Sequence, residues 1–408
     1  MSTTLISFIG TGWRKKESGR PTYDTASYDF GDNNIVKSSM FFNAILRSKK
    51  YTFKDTIIIG TKTSAWGTLI GENNLDNYED LYIKLETEFD EEGINSSTLL
   101  ELEKALKEIW KIPIKCVVTP SQINDENAFD ILSVYFEQID KIENDNILLD
   151  ITHGFRSMPV LLMSALQFNE TMNNNSRKID IIYGELKKGE NSPVRYLDAI
   201  WKEIDLSQSA NAFFQKFDAT DLSEKVEPFW PSGSKAILQI ASSLQGNFII
   251  GIREDIRQLN NALIMSIDSA PKWFPPIKRK IKKLYKKLNS TKTDSELCFV
   301  IASMFAERKM YGQAIISLQL SFEAYLFDYF KIDKSKYGDF DETKRLKKRF
   351  HSKSKINKND KKQLWNLEVL RNTIAHGGSK NKDGGSQKAN YLPKQFDSYK
   401  KLIMRVIK

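Results

Sequence analysis

Continuous apolar runs, separated by amphipathic stretches, mark the first two hundred residues of the chain. These runs are rich in Ile and Val, do not alternate with polar residues, and span 4–9, 56–59, 112–118, 147–151 and 179–183. Strands buried on both faces of a parallel sheet have this pattern. Between the third and fourth runs, Phe129, Leu132, Phe136 and Ile139 recur at helical spacing, and residues 99–110 form another helical pattern. The alternation predicts the α/β class with a doubly wound, mostly parallel, Rossmann-like sheet.

Helical periodicity replaces the strand pattern from Asp205 onward. Residues 235–244 and 294–310 have helical patterns, and the cluster of Pro228, Pro231 and Gly233 ahead of them indicates a hinge or linker. A further helix is predicted by an apolar stripe of period 3.6, formed by Ile315, Leu318, Phe322, Tyr325 and Tyr329. The sequence therefore predicts an α/β domain over residues 1–204, followed by an all-α domain with linker helices over residues 205–408.

Glu323 interrupts a second apolar stripe on the same predicted helix, formed by Ile316, Leu320 and Phe327. The pattern allows two interpretations. The carboxylate can lie at the edge of the core and reach solvent, or it can be buried as the partner of an arginine.

Length and composition exclude several classes of protein. The chain has 408 residues, of which 40% are hydrophobic and 28% charged, so it is not collagen-like, low-complexity or wholly disordered. Two cysteines, Cys116 and Cys298, cannot form a disulfide framework, and with three histidines they make a zinc site unexpected. No apolar run approaches the roughly 20 residues that span a bilayer, and no signal-peptide pattern is present. We expect a cytoplasmic protein without metal, cofactor or membrane partner.

Charge divides the chain in the same place as the periodicity. Residues 1–200 carry 22 Lys and Arg against 30 Asp and Glu, a net charge of −8, whereas residues 201–408 carry 39 against 22, a net charge of +17. Two stretches concentrate the positive charge: an amphipathic helix over residues 277–288, and residues 344–362, for which we expect a mobile loop after a short helix. Either stretch can track an RNA backbone, or it can be an ordinary solvated face.

Small and polar residues follow three of the predicted strands. Gly10-Thr11-Gly12 follows the first run, residues 60–66 follow the second, and residues 150–159 follow the fourth. Ligands of such sheets bind beyond these strand ends, where backbone N–H groups and hydroxyls suit phosphate and ribose oxygens. The segments lack the third glycine of a dinucleotide fingerprint, since Lys15 stands in its place, and they lack the Gly-Lys-Ser/Thr of a P-loop. A glycine after a strand can simply be a turn, and His153 can be structural; three such loops together predict a nucleotide-like pocket.

These three segments resemble the Rossmann-type sensor domain of CRISPR-associated proteins called CARF, over residues 1–200. The resemblance implies a dimer that binds a cyclic oligoadenylate across its two-fold axis. It carries ligand-binding roles onto Gly10, Thr11, Gly12, Thr61, Ser64, Trp66, Thr152, His153, Gly154, Phe155 and Arg156.

Near the C-terminus, Arg371 and His376 lie five residues apart on a helix that Gly377 and Gly378 are expected to end. Five residues correspond to about 500° of rotation, so the two side chains project about 140° apart and cannot easily converge on one phosphate. Two copies facing each other across a symmetry axis can bring both pairs into one cleft. An arginine suits a phosphate whose charge grows in the transition state, and an imidazole suits proton transfer.

Arg371, Asn372 and His376 resemble the Arg-Asn-x-x-x-His motif of HEPN ribonucleases, and the whole chain resembles the CARF–HEPN ancillary ribonucleases of type III CRISPR systems. The resemblance implies a homodimeric, metal-independent endoribonuclease that cleaves single-stranded RNA to 2′,3′-cyclic phosphate products in antiviral defence. Its expected activator is a cyclic oligoadenylate, tetra- rather than hexa-adenylate. The sequence leaves open whether the first domain also cleaves this ligand slowly with the help of His153 or Thr152. The alternative is a ligand-responsive, nucleic-acid-binding regulator without cleavage activity.

Overall fold

The computed structural model describes residues 2–14, 21–73, 77–121, 124, 126–144, 146–173, 177–187, 189–267, 269–353, 356–377 and 391–407. The chain divides into two compact units, Met1–Ile204 and Asp205–Lys408. The first is built on a sheet and the second is helical, so the predicted fold class, α/β followed by all-α, is confirmed.

Five parallel strands form the centre of the first unit: β1 (Thr3–Phe8), β6 (Phe53–Thr61), β7 (Ile114–Thr119), β8 (Asn146–Asp150) and β9 (Lys178–Gly184). They lie in the order β7-β6-β1-β8-β9, and each neighbouring pair is parallel. Numbered along the chain, this order is 3-2-1-4-5, the Rossmann order. Each of the five apolar runs in the sequence corresponds to one of these strands.

Further strands extend the sheet beyond β9. They are β4 (Ala26–Asp29), β5 (Ile35–Ser38) and β10 (Ser192–Tyr196); β10 is antiparallel to β9 and parallel to β4, which is antiparallel to β5. A separate pair consists of β2 (Trp13–Arg14) and β3 (Pro21–Thr22). The apolar pattern does not predict β4, β5 and β10, because they are only four or five residues long and contain polar residues among the apolar ones.

Helices cover both faces of the sheet, as parallel strands require. They are α1 (Phe41–Arg47), α2 (Thr68–Gly71), α3 (Glu79–Asp90), α4 (Ser96–Trp110), α5 (Ala128–Ile139) and α6 (Ser157–Asn173). The predicted crossover helix is α5, but its buried face consists of Ile131, Tyr135 and Ile139. Phe129, which the spacing placed on that face, is 78% exposed.

The second unit consists of helices around one apolar core. The helix α7 (Asp198–Lys216) contains the boundary between the units. It is followed by α8 (Thr220–Val226), α9 (Pro231–Gln245), α10 (Arg253–Ile264), α11 (Phe274–Asn289), α12 (Asp294–Glu307), α13 (Tyr311–Tyr329), α14 (Phe340–Lys353), α15 (Lys358–Ala375) and α16 (Leu392–Val406). Within the described residues, no helix is long and apolar enough to cross a membrane.

Two expectations about loops in this unit are wrong. The proline-rich segment is not a hinge: α9 begins at Pro231, Trp230 is buried before it, and a Cβ on Gly233 would lie 1.8 Å from the indole of Trp230. The basic stretch 344–362 is not a long loop, because α14 continues to Lys353 and α15 begins at Lys358. Residues 354–355, also part of that stretch, lie outside the described residues.

Candidate functional site

The strand order reverses between β1 and β8, and the candidate ligand site lies where these two strands end. In such sheets the crevice at the reversal is the usual ligand site. Gly10 and Gly154 meet there: a Cβ on Gly10 would lie 3.3 Å from Cα of Gly154. Gly154 has a φ of +94°, and a Cβ on it would lie 2.7 Å from Cβ of Phe8. Both glycines are therefore needed for the close approach of the two loops.

His153 is held by two contacts beneath the crevice. The backbone N–H of Phe41, at the start of α1, donates a hydrogen bond of 3.1 Å to its Nε2. The Tyr23 ring packs against the imidazole with centroids 4.4 Å apart, and the Tyr23 hydroxyl accepts a hydrogen bond of 2.8 Å from Gly10 N–H. Burial lowers the pKa of His153 to about 4. The ring is thus neutral at pH 7 with its proton on Nδ1, and it positions the loops rather than supplying charge.

Asp150 anchors the loop that follows β8. Its carboxylate is fully buried and accepts hydrogen bonds of 2.6 Å from the Ser7 hydroxyl and 2.8 Å from the Thr152 N–H. Burial raises the pKa of Asp150 to about 6, while these hydrogen bonds oppose the shift. The Thr152 hydroxyl accepts a further hydrogen bond of 2.8 Å from Gly184 N–H on β9. Asp150 and Thr152 therefore fix the loop to three neighbouring strands.

The loop after β6 does not present the side chains that the sequence indicated. Thr61, Ser64 and Trp66 are 0%, 1% and 2% exposed, contrary to the expectation that they contact a ligand. Ser64 Oγ donates to the Ile9 carbonyl at 2.9 Å, and Trp66 Nε1 donates to the Thr61 carbonyl at 2.8 Å. These bonds hold the turn against β1. Short polar side chains and an indole N–H here form hydrogen bonds with the polar groups of the buried turn itself.

The remaining predicted contacts lie at the surface of the crevice or near it. Thr11, Gly12 and Phe155 are half-buried, and Arg156 is exposed immediately before α6. Sequence reasoning missed Lys62 and Thr63, which line a cavity of about 600 Å³ at the ends of β6 and β7. Both lie in sequence between the buried residues Thr61 and Ser64, and this position could have indicated them. The side chain of Lys62 is exposed and that of Thr63 is half-buried.

A second candidate site lies at the C-terminal end of α15. Leu364, Leu367 and Leu370 form the buried stripe of this helix, and Ile374 is partly buried against the same core. On the other faces, Arg371 is half-buried, whereas Asn372 and His376 are exposed. The helix ends at Ala375 and Gly377 has a φ of +72°, which agrees with a glycine terminus; Gly378 lies outside the described residues.

Within this second site, Arg371 and Asn372 are brought together by a hydrogen bond of 2.9 Å from Nη1 of the guanidinium to Oδ1 of the amide. His376 is tied to the helix through its backbone, because its N–H donates to the Asn372 carbonyl at 3.0 Å. All three side chains are therefore presented on or next to one helix end, with at least part of each open to solvent. Among the described residues, no group of three or more His, Cys, Asp or Glu side chains is placed to hold a metal ion.

Lys347 ties α14 to the helix that carries this site. Its ammonium lies 2.8 Å from the carboxylate of Glu323 on α13 and 2.9 Å from that of Glu368 on α15. Gln319 also donates to Glu323, at 3.1 Å. Neither interpretation of Glu323 from the sequence was complete: the carboxylate lies at the edge of the core, and its partner is a lysine. Glu368 precedes Arg371 by one helical turn, so the bridge fixes the base of the candidate site.

Comparison with known proteins finds similarity to one family over the first unit. The family model described as "CRISPR system endoribonuclease Csx1, CARF domain" matches residues 4–185. The CRISPR-associated protein MJ1674 of Methanocaldococcus jannaschii is 24% identical over 340 residues, which are 78% of this chain and 53% of that protein. The chain thus spans about half the length of this curated relative. A solved structure, Enterococcus italicus Csm6 bound to cyclic hexa-2′-fluoro-hexa-dAMP, aligns over 100% of this chain and 93% of that one, with a TM-score of 0.37 and 12% identity.

Proposed function

From the match of residues 4–185 to the CARF domain family model, we propose that this chain is a cyclic oligoadenylate-activated endoribonuclease of type III CRISPR defence. The family match supports the CARF half of the resemblance that the sequence indicated, and the HEPN half rests on the motif in α15. In the proposal, the crevice between β1 and β8 binds the activator, and the end of α15 cleaves single-stranded RNA.

Activator binding uses backbone groups more than charge. The paired glycines Gly10 and Gly154 leave the loops open to the phosphate-ribose backbone of a ligand, and exposed Arg156 supplies a guanidinium for a phosphate. His153 is neutral and forms the floor of the crevice. The net negative charge of residues 1–200 does not prevent binding, because short-range hydrogen bonds outweigh screened net charge. We propose cyclic tetra-adenylate, in preference to cyclic hexa-adenylate, as the activator.

A homodimer is supported by an apolar face next to the crevice. The helix α6 begins directly after Arg156 and exposes Val160, Phe168 and Met172, which are 64%, 54% and 64% exposed. The Phe168 ring lies 5.1 Å from that of Phe136 on α5, so the two helices share the face. Contiguous exposed apolar side chains commonly mark an association surface. A second copy on α6 brings two loops 152–156 together around one symmetric, cyclic ligand.

The proposed reaction is an attack by the ribose 2′-OH on the adjacent phosphorus. Arg371 binds the phosphate and stabilises the negative charge that grows on it, and Asn372 holds the guanidinium through the hydrogen bond described above. His376 moves a proton between the 2′-OH and the 5′-oxygen of the leaving nucleotide. The new O–P bond closes a 2′,3′-cyclic phosphate, and the broken P–O bond leaves a 5′-OH. Two copies of α15 supply the two sets of side chains.

Cleavage of the activator by the CARF domain remains a separate hypothesis, and His153 is poorly placed to assist it. The lone pair of Nε2 already accepts the Phe41 N–H, and the low pKa leaves no proton for a general acid at neutral pH. Thr152 is likewise engaged through its hydroxyl. Mass spectrometry of the activator after incubation with His376→Ala protein tests this reaction apart from RNA cleavage.

The observation that carries the proposal is the Arg371-Asn372-x-x-x-His376 segment, each side chain of which is at least partly open to solvent, in a chain whose first unit matches the CARF domain model. The test uses labelled RNA with the full-length protein and each cyclic oligoadenylate. RNA cleavage requires an activator, persists in EDTA, and is lost in Arg371→Ala and His376→Ala proteins that still bind the activator. RNA binding without any cleavage by the wild-type protein instead identifies a regulator, and cleavage by both variants refutes the site.

A further inference from the structure

The most basic element of the chain, α11 (Phe274–Asn289), has no role in the proposed reaction. Residues 269–293 contain nine Lys and Arg and no Asp or Glu. The apolar face of the helix belongs to the core of the second unit, with Phe274, Ile281, Leu284 and Leu288 buried. Because the apolar face packs against the core, the opposite face of the helix is exposed to solvent.

The seven cations of α11 differ in their surroundings. Two lie at the edge of the exposed face and have partners in the chain: Lys280 lies 4.3 Å from the centroid of the Phe214 ring, and Lys287 pairs with Glu307 at 2.9 Å. Lys278 is half-buried. The remaining four project along the middle of the face at i, i+3, i+4 and i+7, and we refer to them as the α11 stripe: Arg279, Lys282, Lys283 and Lys286. All four are exposed, and within the described part of the chain none of them forms an ion pair.

Two classes of partner fit this surface poorly. A membrane-surface helix inserts its apolar face among lipids, but the apolar face of α11 is already buried in the core. A protein partner would need an interface centre rich in aromatic side chains, and interface centres are depleted in lysine. The α11 stripe instead presents cations alone, along a helix of roughly 24 Å. A chain of phosphates matches that arrangement, since it needs repeated charge and no apolar complement.

We propose that the α11 stripe is an RNA-binding surface outside the catalytic centre, which contacts the phosphates of the substrate strand. This inference rests on the proposed ribonuclease function and adds to it the sequence-independent binding of long RNA. Lysine and arginine contacts to phosphates release counterions, so the surface makes RNA affinity strongly dependent on salt. It follows that the stripe increases the affinity for RNA longer than the few nucleotides at the reacting bond, without changing the chemical step.

The experiment measures binding, so that it does not depend on cleavage. Full-length His376→Ala protein binds a labelled oligouridine of about 30 nucleotides at salt concentrations between about 50 and 200 mM. In the same background, the pair Lys282→Gln and Lys286→Gln removes two stripe charges. The expected result is weaker binding and a slope of log K against log salt that is less negative by about 1.4, since each lost phosphate contact on a single strand removes about 0.7.

A matched pair on α4, Lys104→Gln and Lys107→Gln, removes two exposed lysines from the first unit and leaves the slope unchanged. An unchanged slope in the stripe variant, or an equal change in both pairs, overturns the proposal. Salt-sensitive binding to phosphatidylserine vesicles that the stripe pair loses, with RNA binding intact, assigns the surface to a membrane and also overturns it. If the wild-type protein never cleaves RNA but the slope changes as expected, the proposed function fails and the RNA-binding surface stands.

With His376 retained and the activator present, cleavage provides a second readout. For the long oligonucleotide, the stripe pair raises KM and leaves kcat unchanged, whereas a substrate of about four nucleotides is cleaved equally well by both proteins. Equal KM values for the long substrate contradict the proposal. A loss of kcat for both substrates likewise contradicts it, because the stripe would then act on the catalytic centre.

Discussion

The backbone N–H of Phe41 donates a 3.1 Å hydrogen bond to Nε2 of His153, so the first turn of α1 is linked to the loop that follows β8. A protonated imidazole has no lone pair to accept that bond. Burial of His153 lowers its pKa to about 4, so burial and the hydrogen bond both favour the neutral imidazole. The residue that most resembles a catalytic group in the first unit is therefore a neutral support for the candidate ligand loops.

His153→Gln tests this role through the pH dependence of stability. The unfolded chain protonates His153 near its ordinary pKa of about 6.5, while the folded chain does so near 4, so the unfolded state binds the extra proton first. The contribution of His153 is complete above about pH 6.5 and is lost as the pH falls towards 4. We expect the free energy of unfolding of the wild type, minus that of the variant, to fall by up to about 3 kcal/mol between pH 7 and pH 4.

Denaturant titrations of both proteins at several pH values measure this difference, and the titration of Asp150 largely cancels because both proteins retain it. A difference that is constant with pH would show that His153 is protonated in the folded state as readily as in the unfolded one.

Trp66→Phe is expected to lower stability without lowering activator affinity. The indole is 2% exposed and donates to the Thr61 carbonyl at 2.8 Å, so the variant loses that bond and leaves a small cavity. We expect a loss of about 2 kcal/mol in the free energy of unfolding. Activator titration under conditions where the variant is folded checks the second part. A stable variant that no longer binds the activator would restore Trp66 as a ligand contact.

Arg156→Gln is expected to lower activator affinity without lowering stability. Its side chain is exposed at the start of α6, so the substitution leaves the midpoint of denaturant unfolding within experimental error of the wild type. Loss of a charge-assisted hydrogen bond to phosphate weakens activator affinity by about ten- to a hundredfold. Isothermal titration with cyclic tetra-adenylate and with a linear tetra-adenylate control measures the loss. Equal affinities of variant and wild type would remove Arg156 from the site.

The parallel strands and the glycines at their ends could be predicted from the sequence. Apolar runs predicted every strand of the parallel centre, because a strand buried on both faces leaves an unmistakable pattern in the sequence. Glycines at strand ends predicted the crevice for a similar reason, since only they permit the contact of Gly10 with Gly154. Both signals are local and do not depend on which other residue lies opposite.

Polar side chains were harder to place, because their environment is set by distant parts of the chain. Ser64 and Trp66 have the composition of ligand contacts, yet their partners are backbone carbonyls of the turn and of β1. Glu323 could be interpreted only once Lys347, 24 residues away, was seen beside it. The edge strands β4 and β5 were missed because a half-exposed strand of four residues offers too few positions for a pattern.

Lys347→Met tests whether the bridge between α13 and α15 stabilises the helix that carries the candidate site. The ammonium is 12% exposed and lies between the carboxylates of Glu323 and Glu368, so its removal leaves two carboxylates without their cation. We expect a loss of about 2 kcal/mol in the free energy of unfolding, less than for a fully buried pair because Glu368 is partly exposed.

Adding Glu323→Gln to Lys347→Met removes one of the uncompensated charges and recovers part of the loss, whereas Glu323→Gln alone destabilises the protein. A double-mutant cycle on denaturant unfolding measures the coupling. Additive effects in that cycle would show that the contact between Lys347 and Glu323 contributes nothing to stability.

Mixing wild-type and His376→Ala subunits tests whether one catalytic centre needs both copies of the chain. A single straight helix projects Arg371 and His376 about 140° apart, so we expect the side chains of two copies of α15 to meet at one phosphate. If both imidazoles are required, mixed dimers are inactive and activity follows the square of the wild-type fraction. If each copy instead contains a complete centre of its own, mixed dimers have half the activity and the total is proportional to that fraction. Subunits are exchanged to equilibrium, exchange is verified with differently tagged chains, and cleavage is measured at saturating activator; a linear dependence would contradict the shared centre while leaving Arg371 and His376 as catalytic residues.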